Sequence, residues 1–210
     1  MSFSDPQWSH VVASEPHCHF DGQPMPRGVL AVSVTETSGW PEIAEYLRAR
    51  QDSRDALVGQ GQEERKTVWR ETDIVDQGAH NEKVLAIVRQ LLAEFAEPFF
   101  GCKIRSLESP HILRYTVGSY YRPHADSDDF NPDTQKWEKT RDRDLSFLLY
   151  LDDDYEGGEI NFPNFDFQLR PRAGMLLMFP SDCRYLHGVL PVTAGKRHSI
   201  VSWCNIHPRK

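Results

Sequence analysis

The chain has no long apolar run. No window approaches the roughly 18 uncharged apolar residues that a helical membrane span requires. It also lacks an excess of positive charge, with 24 Lys and Arg against 31 Asp and Glu and a net charge of −7 with histidines neutral. A nucleic-acid backbone or an anionic membrane needs clustered cations, so neither is an expected partner. Cysteine is scarce. Cys18, Cys102, Cys183 and Cys204 lie far apart and form no C-x-x-C pair, which disfavours a disulfide framework and fits ordinary thiols in a cytoplasmic chain. The segment Met1-Ser2-Phe3-Ser4-Asp5-Pro6 is neither basic nor apolar, so no secretory signal is expected. Repeats and low-complexity tracts are missing too, which removes solenoids and fibrous arrays.

What is present suits one globular unit. Apolar residues make up 39% of 210 residues and aromatics 11%, enough for a packed core. Residues 1–28 are rich in Pro, His and Ser and read as an irregular lead-in. Val29–Val34 is a β-branched strand candidate. A helix capped by Ser38 then carries Ile43, Ala44, Tyr46 and Leu47 at helical spacing to about Gln51. Asp52 to Arg65 is charged and reads as a loop. Asn81 to Phe95 forms a second helix with an apolar stripe of Val84, Leu85, Val88, Leu91, Leu92 and Phe95, ended by Pro98 and Gly101.

After Gly101 the pattern changes to short apolar runs between Gly, Pro, Asn and Asp: Ile112–Tyr121, Leu145–Leu151, Glu159–Phe162, Phe167–Leu169, Met175–Phe179, Tyr185–Leu190 and His198–Trp203. Such spacing without intervening helices indicates an antiparallel sandwich or barrel. The expected division is one domain over 1–210, with 1–101 as lead-in and buttressing helices and 102–210 as a β-core.

Three H-x-[DE] pairs occur: His19-Phe20-Asp21, His80-Asn81-Glu82 and His124-Ala125-Asp126. The first lies in the Pro-flanked lead-in. The second opens a helix, where Glu favours the N-terminal dipole without a metal. Both read as structural. Only the third ends a strand-like run, Arg114 to Pro123, where residues two apart share a face and can grip one ion. A third ligand from a distant strand is His187, within Tyr185–Leu190. Two imidazoles and a carboxylate form the facial triad of non-haem Fe(II) oxygenases. Arg197, ten positions further on, offers a fork for the far carboxylate of a bound oxo-acid.

The order Tyr115-x-x-Gly118-x-x-Tyr121-x-x-His124-x-Asp126, Leu148-Leu149-Tyr150-Leu151 and Gly157-Gly158-Glu159-x-x-Phe162-Pro163 resembles the prolyl 4-hydroxylase-type 2-oxoglutarate, Fe(II)-dependent dioxygenases. So does the closing run Pro171-x-x-Gly174, Pro180, His187-x-Val189-x-Pro191-Val192, Gly195-x-Arg197 and Trp203. The resemblance spans about Leu113 to Cys204. It implies a mainly β fold, a double-stranded β-helix (jelly roll, cupin-like), with N-terminal supporting helices. It implies Fe(II) on His124, Asp126 and His187, and 2-oxoglutarate on Arg197 with Tyr115 and Ser146 among its contacts. Dioxygen is the second co-substrate, ascorbate an optional reductant, and Tyr121 and Trp203 lie nearer the substrate. Strand parity assigns the cation to Arg197, which shares a face with Ser199, Val201 and Trp203, and sends Lys196 to the other. Tyr115 and Tyr121 are odd-numbered while His124 and Asp126 are even, so a bend or bulge is expected at Pro123.

The activity so implied is hydroxylation of an unactivated C–H bond, foremost that of a prolyl residue in a peptide or protein, with succinate and CO2 as co-products. A free amino acid or small metabolite fits the same chemistry. A non-catalytic cupin-like metal-binding module and a zinc hydrolase stand as the other classes, and neither requires Arg197 or Tyr115. The segment Ser127–Asp144 reads as a long charged insert, placed to cover the substrate or simply solvated. Asp152-Asp153-Asp154 reads as a solvated strand end. His17-Cys18-His19 lacks a fourth partner for a zinc site. Oligomeric state is not legible.

Overall fold

A computed structural model describes residues 15–36, 39–50, 53–55, 71–75 and 80–207. In chain order its strands are β1 (His19–Phe20), β2 (Gln23–Pro24), β3 (Leu30–Ser33), β4 (Ser53–Asp55), β5 (Asp73–Val75), β6 (Lys103–Leu107), β7 (His111–Tyr115), β8 (Tyr121–His124) and β9 (Asp128–Asn131). They continue with β10 (Lys136–Lys139), β11 (Leu145–Tyr150), β12 (Glu156–Gly157), β13 (Ile160–Phe162), β14 (Phe167–Leu169), β15 (Met175–Pro180), β16 (His187–Val189), β17 (Val192–Ala194) and β18 (Arg197–His207). Two helices, α1 (Trp40–Ala49) and α2 (Asn81–Leu91), precede the bulk of them.

Among the described residues the strands form an eight-stranded sheet ordered β3-β15-β11-β18-β7-β5-β4, with β6 joined to β18, and a four-stranded sheet ordered β14-β13-β16-β8. This is the double-stranded β-helix. The central strands β11 and β15 are buried along their whole length because both faces are covered. In β11, Leu145, Phe147 and Leu149 pack outward with the helices, while Leu148 and Tyr150 pack inward against the second sheet. In β15, Leu176 and Met178 face the helices and Met175, Leu177 and Phe179 face inward. One period-two sequence thus feeds two cores.

The helices buttress the large sheet as expected, with differences of detail. Ser38 lies outside the described residues, as does most of 52–65, although Ser53–Asp55 forms a strand paired with β5 rather than a loop. Of the lead-in, Glu15 to Gly28 contains the short β1–β2 hairpin. On α2 the buried stripe is Val84, Ile87, Val88 and Leu91, and Leu85 lies at its margin. The helix also runs past Pro98. A wide turn over Leu92–Ala96 and a last segment Glu97–Phe100 carry it to Gly101, which takes a left-handed φ of 61°. Widening the helix just before Pro98 accommodates a residue that has no N–H and crowds the carbonyl four positions back. Ser127–Asp144 is a hairpin, β9–β10, not an open loop, with Phe130 opposite Trp137.

Leu91 is fully buried between α2 and the sheet. Leu91→Ala is expected to cost about 2–5 kcal/mol in urea unfolding with an unchanged denaturant slope. A loss below about 1 kcal/mol would mean that the helix does not brace the sheet.

Candidate metal centre and anion cage

His124 ends β8 and His187 opens β16, and the two residues are direct antiparallel partners. The other pair in this ladder is Tyr121 with Val189, so β8 spends three steps where β16 spends two. The additional residue falls at Arg122-Pro123, where the sequence called for a bend. Pro123 has no N–H to leave unpaired in a bulge. Gly188 makes room for it: a Cβ there would come within 2.7 Å of the Tyr121 carbonyl oxygen and 3.0 Å of Pro123 N. The bulge turns Tyr121 and His124 to the same side, and their rings stack at 3.7 Å.

Asp126 completes the cluster. Its Oδ1 lies 3.6 Å from His124 Nε2 and its Oδ2 3.5 Å from His187 Nε2, and the three ligand atoms fall within 4.8 Å of one another. Among the described residues this is the one such His/Cys/Asp/Glu cluster. Each imidazole pairs its Nδ1 with a backbone carbonyl, that of Arg122 at 2.9 Å for His124 and that of Tyr185 at 3.1 Å for His187. With Nδ1–H donating there, both Nε2 lone pairs face the carboxylate. Burial pushes the His187 pKa down to about 4, so this imidazole is a neutral donor at physiological pH. Burial of Asp126 opposes ionisation, but His187, His124 and the Ser146 hydroxyl outweigh it and hold the carboxyl well below the usual carboxylate range. Two imidazoles, one carboxylate and an open side suit a divalent iron.

Ser146, expected among the co-substrate contacts, turns elsewhere. Its Oγ donates to Asp126 Oδ2 at 2.7 Å and meets Ser181 Oγ at 2.9 Å. The Ser181 carbonyl also accepts from the N–H groups of Asp126 and Ser127. Ser146 faces inward near the start of β11, beside the His124/Asp126/His187 cluster, whereas Arg197 lies beside Tyr150 at the strand's other end.

The cation expected to receive the co-substrate is Arg197. It is 1% exposed, while Lys196 faces solvent, as strand parity required. Its Cζ lies 4.8 Å over the Tyr115 ring and 4.9 Å over the Tyr150 ring. Nε and Nη2 have no hydrogen-bond partner among the described residues, and neither do the Tyr150 and Tyr155 hydroxyls or Ser199 Oγ. Burial disfavours its charge, yet Tyr150, Tyr155, Tyr115 and Asp152 carry its pKa above the ordinary arginine value. Burial pushes both Tyr150 and Tyr155 upward, so these phenols stay protonated. Gly158 admits the side chain: at φ 67°, a Cβ there would come within 3.0 Å of Arg197 Cδ. A buried guanidinium ringed by unpaired hydroxyls is built to receive an anion. The donor set, a His/Asp/His cluster and a buried guanidinium on the inner faces of the same two sheets, suits the chemistry of a chelating keto group with a distal carboxylate.

With this geometry in view, the comparisons point to one family. The model of the 2OG-Fe(II) oxygenase superfamily matches residues 110–205. Over that stretch the chain is similar to that superfamily. Over 118 residues the chain is 37% identical to probable prolyl 4-hydroxylase 9 of Arabidopsis thaliana, a match over 46% of this chain and 40% of that protein. Over 104 residues it is 39% identical to a PKHD-type hydroxylase of Synechococcus sp. (strain CC9902), covering 48% of this chain and 42% of the other. It thus spans about two fifths of the length of these curated relatives. A Pseudomonas putida prolyl-4-hydroxylase crystal structure shares the oxygenase fold with a TM-score of 0.63 at 22% identity, over 86% of this chain and 93% of that one. A Trichoplax adhaerens prolyl hydroxylase in complex with a hypoxia inducible factor peptide fragment gives 0.64 at 19%, over 84% and 83%. The superfamily implies Fe(II), 2-oxoglutarate and dioxygen.

Tyr121 and Trp203, expected near the substrate, are both half-buried. Arg143, which sequence reasoning left in the charged insert, lies with its Cζ 3.6 Å over the Trp203 ring. It donates to both Glu108 carboxylate oxygens, at 2.6 and 2.7 Å, and to the Asp126 carbonyl at 3.3 Å. Glu108, Tyr150 and Tyr155 were likewise missed as site residues. They come together only when strands distant in sequence are laid side by side.

Ser146→Ala removes the hydroxyl that orients Asp126 and is expected to weaken Fe(II) binding about 10-fold or more in an anaerobic titration, with Ser146→Thr near wild type. Equal affinity in the Ala variant would show that this hydrogen bond does not tune the ligand.

Proposed function

We propose that this chain is a 2-oxoglutarate- and Fe(II)-dependent dioxygenase that hydroxylates an unactivated C–H bond of a prolyl residue in a peptide or protein. The observation that carries this reading is Arg197: a guanidinium buried without a hydrogen-bonded anion, in the same inter-sheet interior that His124, Asp126 and His187 border. A hydrolase or a sugar-binding cupin has no use for that arrangement.

In this reading His124, Asp126 and His187 hold the iron and leave one side of it open. Arg197 takes the distal carboxylate of 2-oxoglutarate, and the Tyr150 and Tyr155 hydroxyls stand ready to add hydrogen bonds to it. Tyr115 stacks against the guanidinium and limits its rotamers. When bound, the iron and the keto acid would activate dioxygen, one oxygen atom passing to succinate as CO2 is released and the other to the hydroxylated carbon. The protein contributes orientation and exclusion of water, and no side chain has to move a proton. Trp203, steadied by Arg143 and Glu108, together with Tyr121 presents an apolar wall suited to a pyrrolidine ring.

Relatives and structural neighbours named as prolyl hydroxylases, one of them holding a peptide fragment, support peptidyl proline over a free amino acid or small metabolite. No described helix is long and apolar enough to cross a membrane. Four cysteines outside any disulfide fit a reducing, cytoplasmic setting. Helices and β-core are read as one domain over 1–210, since α1 and α2 share a hydrophobic cluster with the large sheet.

Succinate release with Fe(II) and 2-oxoglutarate is expected to rise when a proline-containing peptide is added, and not with free proline. Arg197→Ala should raise the 2-oxoglutarate KM roughly a hundredfold or more, the scale of breaking a buried ion pair. An unchanged KM, or stimulation by free amino acids alone, would contradict the respective half of the proposal.

A further inference from the structure

The acidic run Asp152-Asp153-Asp154 does not behave as a solvated strand end. Asp153 and Asp154 are exposed, but Asp152 is 2% exposed and bound to a single neighbour. Its Oδ1 accepts from the His198 backbone N–H at 2.8 Å, and its Oδ2 from His198 Nδ1–H at 2.5 Å. His198 is itself buried, and its Nε2 has no partner among the described residues.

The position of this pair is informative. The β11–β18 ladder closes with Tyr150 opposite Ser199, and the Leu151 N–H then donates to the His198 carbonyl at 3.0 Å. Where the backbone of the first strand departs, the Asp152 carboxylate takes the His198 N–H and extends the ladder by one more bond. His198 is the immediate neighbour of Arg197. Asp152 in turn lies between Tyr150 and Tyr155, the two phenols whose unpaired hydroxyls belong to the cage. One contact therefore ties both walls of the cage together. It is also made of ionisable groups on a buried face of β18 that next carries Ile200. An apolar pair of similar volume would pack there at no lower stability. Fixing a geometry gives the polar pair a purpose that packing alone does not.

Building on the reading that Arg197 receives the distal carboxylate of 2-oxoglutarate, we propose that Asp152 and His198 are a positioning pair for Arg197 and set how strongly the cage prefers a dicarboxylic keto acid over a monocarboxylic one.

Calorimetric titration of the protein loaded with Mn(II), a redox-inert stand-in for iron, tests this. The ligands are 2-oxoglutarate and 2-oxobutyrate, which chelate alike but differ in the distal carboxylate. Wild type is expected to bind 2-oxoglutarate far more tightly. In Asp152→Ala the affinity for 2-oxoglutarate should fall about tenfold, the scale of a lost hydrogen bond to a charged group, with 2-oxobutyrate binding unchanged. Asp152→Asn, which keeps the acceptor for the His198 N–H, should fall between the two. An unchanged 2-oxoglutarate affinity, or an equal loss for both acids, would overturn the positioning role. If Asp152→Ala does not fold, a wild-type preference in Asp152→Asn would overturn it as well. A wild type that does not discriminate between the acids would instead sink the underlying assignment of Arg197.

Discussion

A guanidinium sealed in a protein interior without a hydrogen-bonded anion is the constraint around which this molecule is organised. Leaving Arg197 buried is costly unless something compensates it. The surroundings compensate in part, through the faces of Tyr115 and Tyr150, the nearby Asp152 carboxylate, and a glycine at position 158 that lets the side chain lie flat. The remaining hydrogen-bonding capacity stays unused, on Arg197 and on the phenols beside it. Such capacity defines a ligand by its complement, a carboxylate with several acceptor lone pairs.

The double-stranded β-helix allows this because its two sheets face each other across a thin apolar interior. Strand alternation sends one residue in two to the helices and the next into the interior, so every position along β11 or β15 has a fixed side. The candidate metal ligands come from the small sheet and the loop after it, the buried guanidinium from the large one. The bulge at Arg122-Pro123 joins the two halves of the design, since without its additional residue His124 would turn away from His187. Gly188 is the matching concession on the partner strand.

Much of this was legible in the sequence. The ligand triad followed from one H-x-D pair at a strand end and a distant histidine, the choice of Arg197 over Lys196 from parity, and the bulge from a parity mismatch next to a proline. What escaped had a common cause. Ser146 on Asp126, Arg143 on Trp203 and Asp152 on His198 are contacts between a strand and a connecting segment 20 to 60 positions away. Their partners are decided by register, which alternation alone does not set. The hairpin 128–139 was hidden because charged residues dominate both strands. Ile87 displaced Leu85 on α2 because each lies near an edge of the same stripe, and only the sheet beneath distinguishes them.

The most direct test of the central claim is optical. Anaerobic addition of Fe(II) and then 2-oxoglutarate to the metal-free protein should produce the weak visible charge-transfer band of a keto acid chelated to iron in a site with open positions. Iron bound to the protein with no such band on adding 2-oxoglutarate would contradict the account.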